Sequence, residues 1–187
     1  MTKVFIGGSR RLSRLNKDVQ RRVDNIIDKG LTVLVGDANG ADKAVQRYLE
    51  TKRYHDVVVY FMEGQCRNNV GKWPARQVKA SDPSRRDFAY YSTKDREMAA
   101  EADYGLMLWD TNSRGTLSNI INLVRQNKPV VVYVAPRRAF YTLRHSNDLA
   151  EMVRKFDPDA LHRIDRQLQS VTSGSGSDPK TDNALMF

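Results

Sequence analysis

Lys3-Val4-Phe5-Ile6-Gly7-Gly8-Ser9-Arg10 lies near the N-terminus, and its reading decides the fold. Val4, Phe5 and Ile6 form a short apolar run that stops at two glycines, the pattern of a buried strand ended by a glycine turn. Immediately beyond it, residues 16–29 place Val19, Val23, Ile26 and Ile27 at helical spacing, so a helix follows, and Gly30 ends it as a C-terminal cap. Residues 31–35 form a second apolar run, ended by Gly36-Asp37-Ala38-Asn39-Gly40. Strand, helix and strand in this order mean a crossover connection and a parallel sheet.

The alternation continues along the chain. Residues 41–53 align Ala41, Ala44, Val45, Tyr48 and Leu49 on one helical face, and residues 56–62 are rich in β-branched residues and read as a third strand. A short helix is expected over 92–102, a fourth strand over 104–109, a helix over 116–126 and a fifth strand over 129–134. Helices are expected again over 147–156 and 160–171. The expected architecture is therefore a Rossmann-like three-layer α/β domain with a mostly parallel five-stranded sheet and extra C-terminal helices. It spans residues 1–171 as one domain, followed by a Gly/Ser/Asp-rich tail, 172–187, of the composition of disordered segments.

One stretch resists the alternation. Residues 67–86 carry Arg67, Lys72, Arg76, Lys79, Arg85 and Arg86 against the single acid Asp82, with Trp73-Pro74 inside. A long irregular segment in a domain of this size is a functional loop or a disordered one. Its charge suggests a mobile basic lid over a site, with Trp73 as a stacking surface.

Composition narrows the function. The chain has 187 residues and a net charge of +9, which attracts nucleic acid, anionic lipid or phosphorylated ligands. A single cysteine, Cys66, excludes an internal disulfide framework, and one cysteine with three scattered histidines builds no metal cluster. No cofactor is expected. The chain opens into a strand without a signal segment, and its apolar runs are far short of a membrane span, so a cytoplasmic location without a membrane partner is expected.

In a parallel sheet, the loops leaving the carboxyl ends of the strands share one edge, and ligands bind there. Three glycine-bearing loops belong to that edge: Gly7-Gly8-Ser9-Arg10, Gly36-Asp37-Ala38-Asn39-Gly40-Ala41-Asp42, and Asp110-Thr111-Asn112-Ser113-Arg114-Gly115-Thr116. Backbone N–H groups at a helix start favour phosphate, and glycine lets the backbone approach it. Ser9, Ser113 and Thr116 add hydroxyls, Arg10 and Arg114 add guanidinium groups, and Asp37, Asp42 and Asp110 suit ribose hydroxyls or a base edge. Asp42 and Thr116 also suit helix capping. Tyr90-Tyr91 suits either base stacking or core packing.

These same pieces resemble the SLOG superfamily of Rossmann-like proteins, which includes the lonely-guy phosphoribohydrolases, relatives of nucleoside deoxyribosyltransferases and DNA-processing protein A. The resemblance covers roughly residues 4–134, and the stretch from Lys94-Asp95 through Ala102-Asp103 to Trp109-Asp110 is similar to an uncharacterised branch. The phosphoribohydrolases carry Gly-Thr followed by two residues and then a glutamate. Here the run is Gly115-Thr116-Leu117-Ser118-Asn119, with an amide in the acid's place. A neutral amide cannot stabilise the oxocarbenium-like transition state of glycosidic cleavage. The resemblance thus implies binding, or sensing, of a nucleotide or nucleotide-derived phosphorylated molecule. One alternative is an N-glycosidase or deoxyribosyltransferase using another acid, with Asp110 and Asp37 first and Asp42 and Asp95 behind them. A second is single-stranded nucleic-acid binding, as in DNA-processing protein A, and helix-mediated dimers are common among such relatives.

Overall fold

The computed structural model describes residues 1–80 and 88–156. The expected helix over 160–171 and the tail lie outside the described residues.

Among the described residues the sheet has seven strands where five were expected, in the spatial order β4-β3-β2-β1-β5-β6-β7. They are β1 (Lys3–Gly8), β2 (Thr32–Gly36), β3 (Val57–Met62), β4 (Ala75–Val78), β5 (Tyr104–Trp109), β6 (Val130–Val134) and β7 (Ala139–Leu143). All neighbouring pairs are parallel except β6 and β7. The two additional strands are edge strands, which explains why periodicity did not reveal them. β4 exposes three of its four residues, and β7 is half-buried along most of its length. A tight turn, with Arg138 in the left-handed region at φ 49°, returns the chain from β6 to β7.

Helices α1 (Lys17–Asp28) and α2 (Ala41–Thr51) cover one face; α3 (Phe88–Glu101), α4 (Arg114–Arg125) and α5 (Ser146–Phe156) belong to the other. The core accordingly divides in two. Val19, Val23 and Ile26 of α1 and Val45 and Leu49 of α2 pack with Val4, Ile6, Val33 and Val35. Met98 and Ala99 of α3 and Ile120 and Val124 of α4 pack with Phe5, Leu34 and Met107. The central strands are apolar on both faces because both faces are covered.

α1 illustrates how local chemistry sets an element. Asn16 caps it, its Oδ1 accepting from the Val19 N–H at 2.9 Å. At the other end Gly30, at φ 62°, turns the chain so that its N–H reaches the Ile27 carbonyl and that of Leu31 reaches Ile26. α3 extends further towards the N-terminus than the spacing predicts, being already helical at Phe88 instead of residue 92. Its Tyr90, Met98 and Ala99 are buried in the core, while Phe88, Tyr91, Ser92 and Asp95 line a cavity. A helix that faces two environments shows no single apolar stripe.

Residues 67–80 are not a free lid. The Arg67 guanidinium is tied to Asp37, the Asn68 amide donates to the Asp37 carbonyl at 2.7 Å, and residues 75–78 are β4. Trp73 is a core residue and not a stacking surface: it packs in the α1–α2 layer and its indole N–H donates to the Tyr54 carbonyl at 2.8 Å. Gly71 is required beside it, because a Cβ there would lie 2.3 Å from the indole ring. The remainder of the expected lid, 81–87, lies outside the described residues.

Candidate functional site

The strand order reverses direction between β1 and β5, so the loops after these two strands part and leave a crevice at the carboxyl edge. A cavity of about 580 Å³ occupies it, within the usual range for small-molecule sites. Gly7, Gly8, Arg10, Asp42, Asp110, Ser113, Gly115 and Thr116 all line it, which brings eight of the expected site residues together.

Of the remaining expected residues, Ser9, Gly40 and Ala41 hold the loops in place. Ser9 is fully buried; its Oγ donates to Asp110 Oδ1 at 2.9 Å, and the Asp110 N–H donates back to Ser9 Oγ at 3.1 Å. This reciprocal pair ties the β1 loop to the β5 loop across the crevice. Asp110 Oδ1 also accepts from the N–H groups of Asn112 and Ser113 and so shapes the turn before α4. Gly40 lies at φ 87°, where a Cβ would strike the Arg10 backbone at 2.2 Å. Glycine there allows the loops after β1 and β2 to touch. Ala41 is buried against Gly8, whose own Cβ would lie 2.9 Å from that of Ala41 and 2.5 Å from the Leu108 carbonyl oxygen. Gly8 is therefore a packing glycine first.

Gly115 is different: beyond its own helix turn and chain neighbours, a Cβ added to it meets none of the described residues within 4 Å. It is the second residue of α4, whose N-cap is Ser113, accepting from the Thr116 N–H through its side chain. Ser113, and not Thr116, thus caps this helix, and Thr116 lies inside the first turn with its hydroxyl donating to Ser113 Oγ at 2.9 Å. The N–H groups of Arg114 and Gly115 precede the intrahelical ladder and are the donors that a helix start offers to an anion. Arg114 is exposed and does not line the cavity, whereas Arg10 and Arg11 do.

The cavity wall formed by α3 carries what the loop reading missed. Lys94, only 4% exposed, lies 3.1 Å from Asp95 and interacts with the charge of Asp42. Gly36 makes room for this group, since a Cβ there would lie 2.3 Å from the Asp42 carboxylate and 2.5 Å from the Lys94 ammonium. Burial opposes the charge on Lys94, but the charges of Asp95 and Asp42 and the Asp95 hydrogen bond outweigh it, so its pKa is raised. Asp42, 7% exposed, is pushed up to about 6 by burial first, with the Asp95 charge adding to it and Lys94 opposing it. Asn119 donates to Asp95 Oδ2 at 3.1 Å. Asn119 of α4 therefore orients a carboxylate supplied by α3.

Asp37 is not a free acid. It is buried, does not line the main cavity, and receives two guanidinium hydrogen bonds and the backbone N–H of Arg67. Burial raises its pKa, but the side-chain and backbone bonds from Arg67 and the charge of Lys94 more than offset this, leaving it below the ordinary value. Arg67 and Tyr91 stand between the main cavity and a second one of about 200 Å³, lining both. Cys66 lies near Asp37, and burial followed by the Asp37 charge raises its thiol pKa, the opposite of an activated nucleophile. Among the described residues no group of His, Cys, Asp or Glu has the arrangement of a metal site, and no helix is long and apolar enough to cross a membrane.

No protein-family model and no curated protein matches this chain. Solved structures do. DNA processing protein A from Helicobacter pylori, described for its single-stranded DNA binding mode, matches over 91% of this chain and 81% of its own, with a TM-score of 0.55 and 17% identity. DNA processing protein A from Streptococcus pneumoniae matches over 70% of this chain and 50% of its own, with a TM-score of 0.52 and 14% identity. The Rossmann-like α/β fold with its mostly parallel sheet is shared with these proteins.

Proposed function

We propose that this protein binds single-stranded nucleic acid, seating a backbone phosphate in the carboxyl-edge cavity. The observation that carries the proposal is the convergence there of Arg10, Arg11 and the unobstructed start of α4 at Gly115. These groups offer two guanidinium forks and free backbone donors, which suit a phosphate and carry no base preference. The net charge of +9 adds long-range attraction, and the H. pylori protein of the same fold is described with single-stranded DNA.

Anisotropy titration of a labelled oligo-dT over a range of salt concentrations tests it. Affinity should fall with salt, and Arg10→Ala should weaken binding and reduce the logarithmic salt slope by about 0.7 per lost phosphate contact. Equal salt slopes for the natural and variant proteins would refute the phosphate assignment.

A second reading, a free nucleotide-derived small molecule, is favoured by one observation: the Asp42–Lys94–Asp95 group in the cavity wall exceeds what a backbone phosphate needs. Carboxylates there suit sugar hydroxyls. Competition by a mononucleotide at concentrations equal to those of the oligonucleotide would favour this reading over the strand.

A further inference from the structure

Phe88 is the exposed aromatic among the large hydrophobic side chains of the described residues, at 58%, and it lines the main cavity. An isolated exposed apolar side chain needs no explanation. This one stands in a row. Phe88 and Tyr91 are three residues apart on α3 and share a helical face, and Tyr91 lines both the main cavity and the second one. The Arg67 guanidinium lies 5.8 Å from the Tyr91 ring centroid, a cation over its face. Tyr90, by contrast, is buried in the core, so the Tyr90-Tyr91 pair divides between packing and the cavity.

The same cavity is therefore bounded by phosphate donors on the β1 and β5 loops and by aromatic rings on α3. A nucleotide has this composition, with an anionic end and a flat π-face. We propose that Phe88 and Tyr91 form a stacking wall for a nucleobase whose phosphate is held at Arg10 and Gly115. The inference rests on the proposed nucleotide site and assigns its base-binding element. Stacking accepts any base, so the wall confers affinity for unpaired bases without sequence preference.

The test compares oligo-dT with an abasic strand of equal length, which keeps the phosphates and lacks the bases. Phe88→Ala should weaken oligo-dT binding by roughly 5- to 150-fold, the worth of one stacked base, and leave the abasic strand unaffected. Phe88→Trp should retain affinity, and its emission should be quenched by oligo-dT and not by the abasic strand. The native Trp73 and Trp109 are buried and serve as the internal background. Quenching by thymidine monophosphate as well as by the strand would show that the wall also takes the base of a free nucleotide. If Phe88→Ala binds oligo-dT like the natural protein while the abasic strand binds and responds to Arg10→Ala, the wall is refuted and the phosphate site stands. If neither strand nor thymidine monophosphate binds the natural protein, the nucleotide site fails and the wall with it.

Discussion

Apart from its own helix turn and chain neighbours, a Cβ on Gly115 meets none of the described residues within 4 Å, whereas a Cβ on Gly8 lies 2.5 Å from the Leu108 carbonyl oxygen. Two glycines of one cavity should thus respond to alanine in opposite ways. Gly115 lies in the first turn of α4 without a left-handed backbone, so alanine loses less conformational entropy on folding. Gly115→Ala should stabilise the fold by about 0.5–1 kcal/mol. For a domain of this size, that raises the melting temperature by roughly 1–4 °C. In the proposed site the same methyl group would stand in the space through which a phosphate oxygen would reach the helix start. Loss of a hydrogen bond to a charged group weakens binding by about 1.5–3 kcal/mol, or roughly 10- to 150-fold. Gly8→Ala should instead destabilise by about 1–3 kcal/mol, because it overpacks against backbone and the Ala41 side chain. Differential scanning fluorimetry and anisotropy titration of oligo-dT read both quantities on the same samples. A Gly115→Ala protein that is more stable and binds undiminished would refute the anion cradle, and one that melts lower would refute the steric reading.

Three further outcomes follow from the cavity and its walls. Lys94→Met should cost roughly 3–5 kcal/mol of stability in a denaturant titration, since it leaves the Asp42 and Asp95 carboxylates without their buried counter-charge. Asp42 keeps its proton to about pH 6 in the fold against an ordinary value of 3.8, so between these values the folded chain binds more protons than the unfolded one. Its contribution is greatest below about pH 4 and is lost as pH rises through about 6; the stability difference between the natural protein and Asp42→Asn should change across that window and be flat above it. Asp37 acts in the opposite sense, its contribution present above 3.8 and lost on further acidification, outside that window. Trp73→Ala should lower stability by about 3–5 kcal/mol, as for a large core truncation, while the folded fraction binds oligo-dT normally; a selective binding loss at unchanged stability would return Trp73 to the site.

By itself the sequence determined the layered fold and the edge at which the main cavity lies. The apolar runs at residues 4–6, 31–35, 56–62, 104–109 and 129–134 are buried on both faces, and such strands announce themselves by composition alone. Glycines and hydroxyls after the first and fourth of these runs marked the loops after β1 and β5, because loop chemistry is local. Tertiary structure decided the rest. Edge strands β4 and β7 need a neighbour's backbone more than their own apolar side chains, so Arg76 and Gln77 gave no strand signal. Whether an acid is free or paired depends on residues distant in the chain: Arg67 claims Asp37 from 30 positions away, and Asn119 holds Asp95 from 24. The two cavity glycines look alike in the sequence, yet Gly8 faces a strand and Gly115 faces no other element among the described residues. Only the packing of one element against another distinguishes a glycine that fills no room from one that leaves room for a ligand.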